Sequence, residues 1–200
     1  LRDEQRSDPT VDHLLFCEHP PVYTLGKSGK LEHLLISDAD RKARGIEFFR
    51  TNRGGDITFH GPGQLVGYPI LDLDAHPFDL KGYIYRIEEL FIRLLADYDL
   101  KGERSLGETG VWLEVGTPRA RKICAIGVRA SRWVTMHGWA FNVNTDLNLF
   151  AHIVPCGIAD KEVTSLAKEL GKPQDWQAVK ALCKKHFQSL FALEWHEALS

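Results

Sequence analysis

Apolar positions along the chain fall into short runs separated by Gly- and Pro-rich breaks, and into two longer stripes at helical spacing. His13-Leu14-Leu15-Phe16-Cys17, closed by His19-Pro20-Pro21, predicts a buried strand running into a turn, because proline cannot donate to a sheet ladder. Residues 46–50, 56–59 and 65–70 predict further strands. Between Pro77 and Tyr98, the residues Leu80, Tyr83, Ile84, Ile87, Leu90, Phe91, Leu94, Leu95 and Tyr98 step by threes and ones. That is a wide stripe at the 3.6-residue period, and Gly102 stands beyond it as a stop. Three more strands are predicted over 111–115, 122–128 and 134–143. Trp176, Val179, Leu182, Cys183, Phe187, Leu190 and Phe191 then line one face of a C-terminal helix. Blocks of strands separated by one long helix, with helices at the end, predict an α+β (mixed α/β) fold rather than a regular βαβ array. No internal repeat or linker interrupts residues 1–200, which read as a single domain.

Composition narrows the class without naming it. An apolar fraction of 44% and a charged fraction of 26% are those of a globular protein. A chain of 200 residues buries roughly 70% of its unfolded surface and needs no staple. The formal charge of -2 gives no sign of a nucleic-acid or membrane surface, and no apolar run approaches the roughly 20 residues that span a bilayer. Cys17, Cys124, Cys156 and Cys183 form no C-x-x-C pair and read as reduced thiols. The first residues are polar and make no signal peptide, and a start at Leu1 rather than Met is read as lacking residues upstream.

Three places could carry chemistry. In Arg53-Gly54-Gly55-Asp56-Ile57-Thr58-Phe59-His60-Gly61-Pro62-Gly63-Gln64, four glycines expose backbone beside polar groups. The same stretch also fits a pair of tight turns around a hairpin, and it matches neither a P-loop nor a dinucleotide fingerprint. Cys156, in Val154-Pro155-Cys156-Gly157-Ile158, is a thiol on a turn, either an unreactive loop cysteine or a nucleophile whose neighbouring Gly157 N–H could face an oxyanion. A nucleophilic thiol needs a neighbouring base or positive charge, and His137, His152 and Lys122 are all candidates. Lys122 opens an otherwise apolar strand, where it either snorkels or serves a purpose. Period-two alternation puts it on the face of Cys124, the rival nucleophile, although Cys124, Cys17 and Cys183 all read as core. No paired spacing points to a metal, and the basic run Arg119, Arg121, Lys122, Arg129 and Arg132 reads either as a solvated face or as a surface that meets an acidic partner.

Five segments, in order, carry a resemblance. They are Glu18-His19-Pro20-Pro21-Val22-Tyr23-Thr24-Leu25-Gly26, the glycine-rich stretch 53–64, Lys122-Ile123-Cys124-Ala125-Ile126-Gly127-Val128, His137-Gly138-Trp139-Ala140-Phe141-Asn142-Val143-Asn144 and Pro155-Cys156-Gly157. Together they resemble the octanoyl-acyl-carrier-protein:protein octanoyltransferases of lipoate synthesis, the lipoyl(octanoyl) transferase (LipB) family. The resemblance covers about residues 13–170, and it lacks a strand and the start of a helix that the family carries at its N-terminus. It implies a mixed sheet flanked by helices, as in the catalytic domains of biotin and lipoate protein ligases. It also implies a catalytic dyad of Cys156 and Lys122. The implied acyl pocket is formed by Arg53, Gly54, Gly55, Asp56, Ile57, Thr58, Phe59 and His60, by Ala125, Ile126 and Gly127, and by Gly138, Trp139 and Ala140. Octanoyl-acyl carrier protein is the implied donor. Lipoyl domains of 2-oxoacid dehydrogenases and the glycine cleavage H protein are the implied acceptors of a cytoplasmic monomer that needs no cofactor or metal. Rival readings are an ATP-dependent lipoate or biotin ligase on the same fold and a non-catalytic carrier-binding module.

Overall fold

The fold divides the predicted strands between two sheets. The computed structural model describes residues 11–154 and 162–196. Strands β1 (His13–Cys17), β5 (Gln64–Ile70), β9 (Val134–Asn142), β8 (Arg121–Ser131), β7 (Glu108–Leu113) and β6 (Glu103–Ser105) lie side by side in that order, all antiparallel. A short β10 (Glu162–Val163) adds to this sheet in parallel beside Arg121 and Lys122. The second sheet is small: β2 (Val22–Leu25) runs parallel to β3 (Glu47–Arg50) and antiparallel to β4 (Ile57–His60). Helices α2 (Leu80–Ala96) and α4 (Trp176–Phe191) cover one face of the large sheet, and two short helices, α1 (Asp38–Ala43) and α3 (Leu166–Leu170), complete the chain.

Local chemistry accounts for the helices. The Asp79 carboxylate accepts the Gly82 N–H and starts α2, and Asp175 accepts from Gln177 and Ala178 at the start of α4. The stripe of α2 buries Tyr83, Ile87, Leu90, Phe91, Leu94 and Leu95 against Val179, Cys183, Phe187 and Phe191 of α4 and against the sheet. Trp139 is the centre of this packing, edge-on to Phe91 at 5.4 Å and 6.0 Å from Phe187. Its indole fits only because Gly67 lies opposite, where a Cβ would come within 2.1 Å of the ring.

Several expectations need correction. β1 is an edge strand, not a buried one: Leu14 and Phe16 pack inward, Leu15 is 55% exposed and Cys17 is only half-buried, because β1 has a single neighbour. Helix α2 ends in the turn at Asp97, with Asp99 left-handed at φ 57°, and not at Gly102. Gly102 instead packs against the helix, where a Cβ would meet Leu95 Cδ1 at 2.7 Å. Strand β2 escaped the pattern because its four residues are all buried and lack alternation.

Candidate active site

Between the two sheets lies a cavity of about 750 Å³. Period-two alternation decides what enters it. On β5, Gln64, Val66 and Tyr68 border the cavity, while Leu65 goes to the helix-side core. On β4, Thr58 and His60 border it, while Phe59 is 1% exposed in a second core, 5.5 Å from both Tyr23 and Phe150. Phe59 is therefore not a pocket residue, contrary to the expectation; it belongs to the packing that holds the small sheet. On β8 and β9, Ala125 faces Ala140 and Gly127 faces Gly138, so a patch of small side chains forms one wall. Ile126 and Trp139 form the intervening pair; both border the cavity but direct their side chains to the helix-side core.

The glycine-rich loop closes one end. Arg53, Gly54, Gly55, Asp56 and Ile57 all border the cavity. Arg53 is 9% exposed, and its guanidinium donates from Nη2 to the Thr24 carbonyl at 2.6 Å and from Nε to Thr24 Oγ1 at 3.3 Å. The Gly54 N–H donates to the Val128 carbonyl at 3.0 Å, so the loop bridges β2 of the small sheet and β8 of the large one. Glycine is required at Gly26, where a Cβ would lie 2.3 Å from the Gly55 carbonyl oxygen; a Cβ on Gly127 would lie 3.0 Å from the Gly54 carbonyl oxygen, a tight contact that a small shift of the loop relieves. Asp56 accepts the Ile57 N–H at 2.7 Å and pairs with His33 Nδ1 at 2.5 Å, which holds the 3-10 turn Leu31–His33 over the loop.

A buried polar chain runs along the cavity. His60 Nδ1 bonds Gln64 Oε1 at 2.8 Å, and Gln64 Nε2 donates to Asn142 Oδ1 at 2.9 Å. Asn142 Nδ2 donates to the Thr164 carbonyl at 3.0 Å, and the Thr164 N–H reaches the Lys122 carbonyl at 2.9 Å. Gln64 oxygen is an acceptor, so His60 Nδ1 carries the proton. Burial, with the Arg53 charge adding to it, pushes the His60 pKa down to about 4 and keeps the ring neutral. His19, whose Nε2 lies 2.6 Å from the Tyr68 hydroxyl, is lowered by burial as well. In the sequence Gln64 stands out only as a polar group beside exposed backbone, and Thr24, His19 and Tyr68 carry no assigned role, although Thr24 and His19 lie inside the quoted motifs.

Lys122 borders the cavity, and it does so by a departure from alternation. Between β7 and β8 the register slips: Val111 pairs with Cys124 but Trp112 pairs with Lys122. Ile123 and Cys124 are consequently both buried in the helix-side core at 0% exposure, and Lys122 crosses to the other face. The expectation that Lys122 and Cys124 share a face is overturned by this bulge. Lys122 Nζ donates to the Thr109 carbonyl at 3.3 Å and lies 4.6 Å from the centre of the Trp112 ring. The Cys124 thiol is held neutral, its pKa raised by burial far more than the nearby Lys122 charge lowers it. Cys124 is core.

His137 also borders the cavity, at φ 62°, with Nε2 2.7 Å from Asn52 Oδ1. Burial, aided by Arg53 and Arg129, lowers its pKa. His152 ends the 3-10 turn Leu147–His152, where its carbonyl accepts the Leu35 N–H. Cys156 lies outside the described residues. Of the basic run, Arg121 is tied to Glu114 and Glu169, and Arg119 to Glu114. Among the described residues no group of three or more His, Cys, Asp or Glu side chains is placed to hold a metal, and no helix is long and apolar enough to cross a membrane.

Comparison with known proteins supplies the family. The family model for the lipoyl protein ligase A/B catalytic domain matches residues 1–188. An octanoyltransferase of Christiangramia forsetii is 59% identical over 194 residues, 96% of this chain and 83% of that protein. One from Flavobacterium psychrophilum is 58% identical over 191 residues, 95% of this chain and 82% of that protein. Among solved structures, a bipartite lipoate protein ligase from Thermoplasma acidophilum superposes with a TM-score of 0.74, covering 94% of this chain and 74% of its own. At 19% identity that likeness speaks for the fold alone. With the fold, the cavity and these matches together, the chain belongs to the lipoyl protein ligase A/B catalytic-domain family.

Proposed function

We propose that the protein is an octanoyltransferase. It takes an octanoyl group from the thioester of acyl carrier protein and delivers it to a lysine of a lipoyl domain, through a thioester on Cys156. The observation that carries this reading is the position of Lys122. A cation borders a cavity whose opposite pairs Ala125–Ala140 and Gly127–Gly138 leave room for a thin apolar chain. The octanoyltransferase names of relatives 59% and 58% identical point the same way.

The chemistry follows from the residue types. Lys122 as an ammonium stabilises the Cys156 thiolate, which attacks the carbonyl carbon of the donor thioester. The tetrahedral adduct collapses, the carrier sulfur leaves and takes the proton from Lys122, and the acyl group stays on Cys156. The incoming lysine amine then attacks that thioester and gives its proton to the Lys122 amine as the Cys156 thiolate leaves. One thioester replaces another, and an amide, the more stable product, ends the sequence. No nucleotide is consumed. His60 is uncharged in this scheme, and with Gln64 and Asn142 it shapes the cavity wall. The acceptors are lipoyl domains such as those of 2-oxoacid dehydrogenases and the glycine cleavage H protein, served by a monomer in the cytoplasm.

The test is transfer from octanoyl-acyl carrier protein to a purified lipoyl domain without ATP. The reading expects acylation that Cys156→Ser abolishes. Labelling that appears only with free octanoate and ATP, and survives Cys156→Ser, would assign the chain to the ligase chemistry instead. No acylation under either condition would leave a binding module.

A further inference from the structure

Helix α2 carries one carboxylate on its buried face. Glu88 is 8% exposed among Tyr83, Ile87, Leu90 and Phe91. A buried carboxylate is costly unless it is hydrogen-bonded, and Glu88 has two donors from the β6–β7 hairpin. Oε2 accepts from Arg104 Nε at 3.1 Å, and Oε1 accepts the Gly110 N–H at 3.0 Å. The Gly110 N–H and the Thr109 carbonyl belong to one peptide group, and that carbonyl accepts from Lys122 Nζ. In a trans peptide the two bonds point in opposite directions. A single peptide thus stands between the Glu88 carboxylate at its N–H end and the Lys122 ammonium at its C=O end.

The backbone around that peptide is built for this orientation. Gly110 has φ 126°, which side chains rarely adopt, and a Cβ there would lie 2.6 Å from the Cys124 carbonyl oxygen and 3.4 Å from Lys122 Cε. The register slip that brings Lys122 to the cavity begins at the next residue, Val111. We infer that Glu88 is a positioning residue for Lys122: by holding the Gly110 N–H, it aims the Thr109 carbonyl at the ammonium and keeps it at the cavity wall. This rests on the proposed role of Lys122 toward Cys156. Arg104 fixes Glu88 from the far side, with further bonds to Glu89 Oε2 and the Tyr85 carbonyl.

The experiment separates reach from charge and reads the Cys156 thiol, not stability. The rate of alkylation by iodoacetamide is followed from pH 5 to pH 10 in the full chain and in Lys122→Ala, Glu88→Gln, Glu88→Asp and Arg104→Gln, with folding checked by thermal melts. Glu88→Gln keeps an oxygen in reach of the Gly110 N–H without the charge, and its alkylation midpoint should stay near that of the parent. Glu88→Asp keeps the charge but falls short of Gly110, and its midpoint should rise by about one pH unit, toward that of Lys122→Ala. Arg104→Gln should lower the melting temperature and leave the midpoint unchanged. If Glu88→Asp behaves as the parent, or if Glu88→Gln lowers the midpoint as loss of a nearby negative charge would, the positioning role is overturned. If Lys122→Ala itself leaves the midpoint unchanged, the role of Lys122 fails first, and that of Glu88 with it. A Glu88→Asp chain that melts normally yet loses transfer without a change in midpoint also contradicts the inference.

Discussion

The two faces of the large sheet are made by the same strands and hold opposite kinds of residue. Toward the helices, Leu65, Ile126, Trp139 and Phe141 interlock with α2 and α4, and Cys124 sits among them as an inert thiol. Toward the small sheet, Gln64, Ala125, Gly127 and Ala140 leave a cavity bordered by polar groups and, among the described residues, by one lysine, Lys122. One residue step separates the two environments. A strand with alternating neighbours can carry a rigid core and a cavity wall at once. A single bulge at Ile123 then suffices to move Lys122 from the first to the second.

Substitutions on the two faces should fail in different ways. The largest effect is expected on the cavity side: Lys122→Ala should slow octanoyl transfer by about a hundred- to ten-thousand-fold, with little change in melting temperature. Steady-state kinetics beside thermal melts check both halves. Phe59→Ala is the opposite case. It should cost about 3–5 kcal/mol in a denaturant titration, because Phe59 fills the small core against Tyr23 and Phe150, while the folded fraction keeps its transfer rate.

A third difference is set by pH. The His60 pKa lies at about 4 in the folded chain and near 6.5 unfolded, so between these values the unfolded chain binds more protons. Stability is therefore lost as pH falls from 6.5 toward 4, by about 3 kcal/mol from this group. A His60→Gln chain should lose less than the parent over that window. The smallest effect is expected for Gly127→Val, which narrows the wall beside the Gly54 carbonyl. It should raise the KM for an octanoyl donor by about ten- to a hundredfold and spare a shorter acyl donor.

Much of this was legible in the sequence, and the exceptions share causes. The stripe from Leu80 to Leu95 gave α2 because a helix against a sheet buries one face and repeats at 3.6 residues. The α+β class was legible in the order of strand and helix patterns, whereas the stretches 125–127 and 138–140 were marked only by the family resemblance, and of these Ala125, Gly127, Gly138 and Ala140 form the small-residue wall. Phe59 was misplaced because a motif is contiguous whereas a strand alternates, so neighbours in sequence face different volumes. Lys122 was placed on the wrong face because a bulge leaves no mark in composition. Glu88 was passed over because a single carboxylate in an apolar stripe looks like a solvated position until its donors, sixteen and twenty-two residues away, are known.

The central claim is that the acyl group rests on Cys156 between donor and acceptor. Intact mass spectrometry after mixing the chain with octanoyl-acyl carrier protein, with no ATP and no acceptor, tests it most directly. The account predicts one octanoyl adduct, mapped by peptide fragmentation to Cys156, absent in Cys156→Ser and released when a lipoyl domain is added. An adduct on another residue, or octanoyl transfer to the lipoyl domain with no adduct at any time, would contradict it.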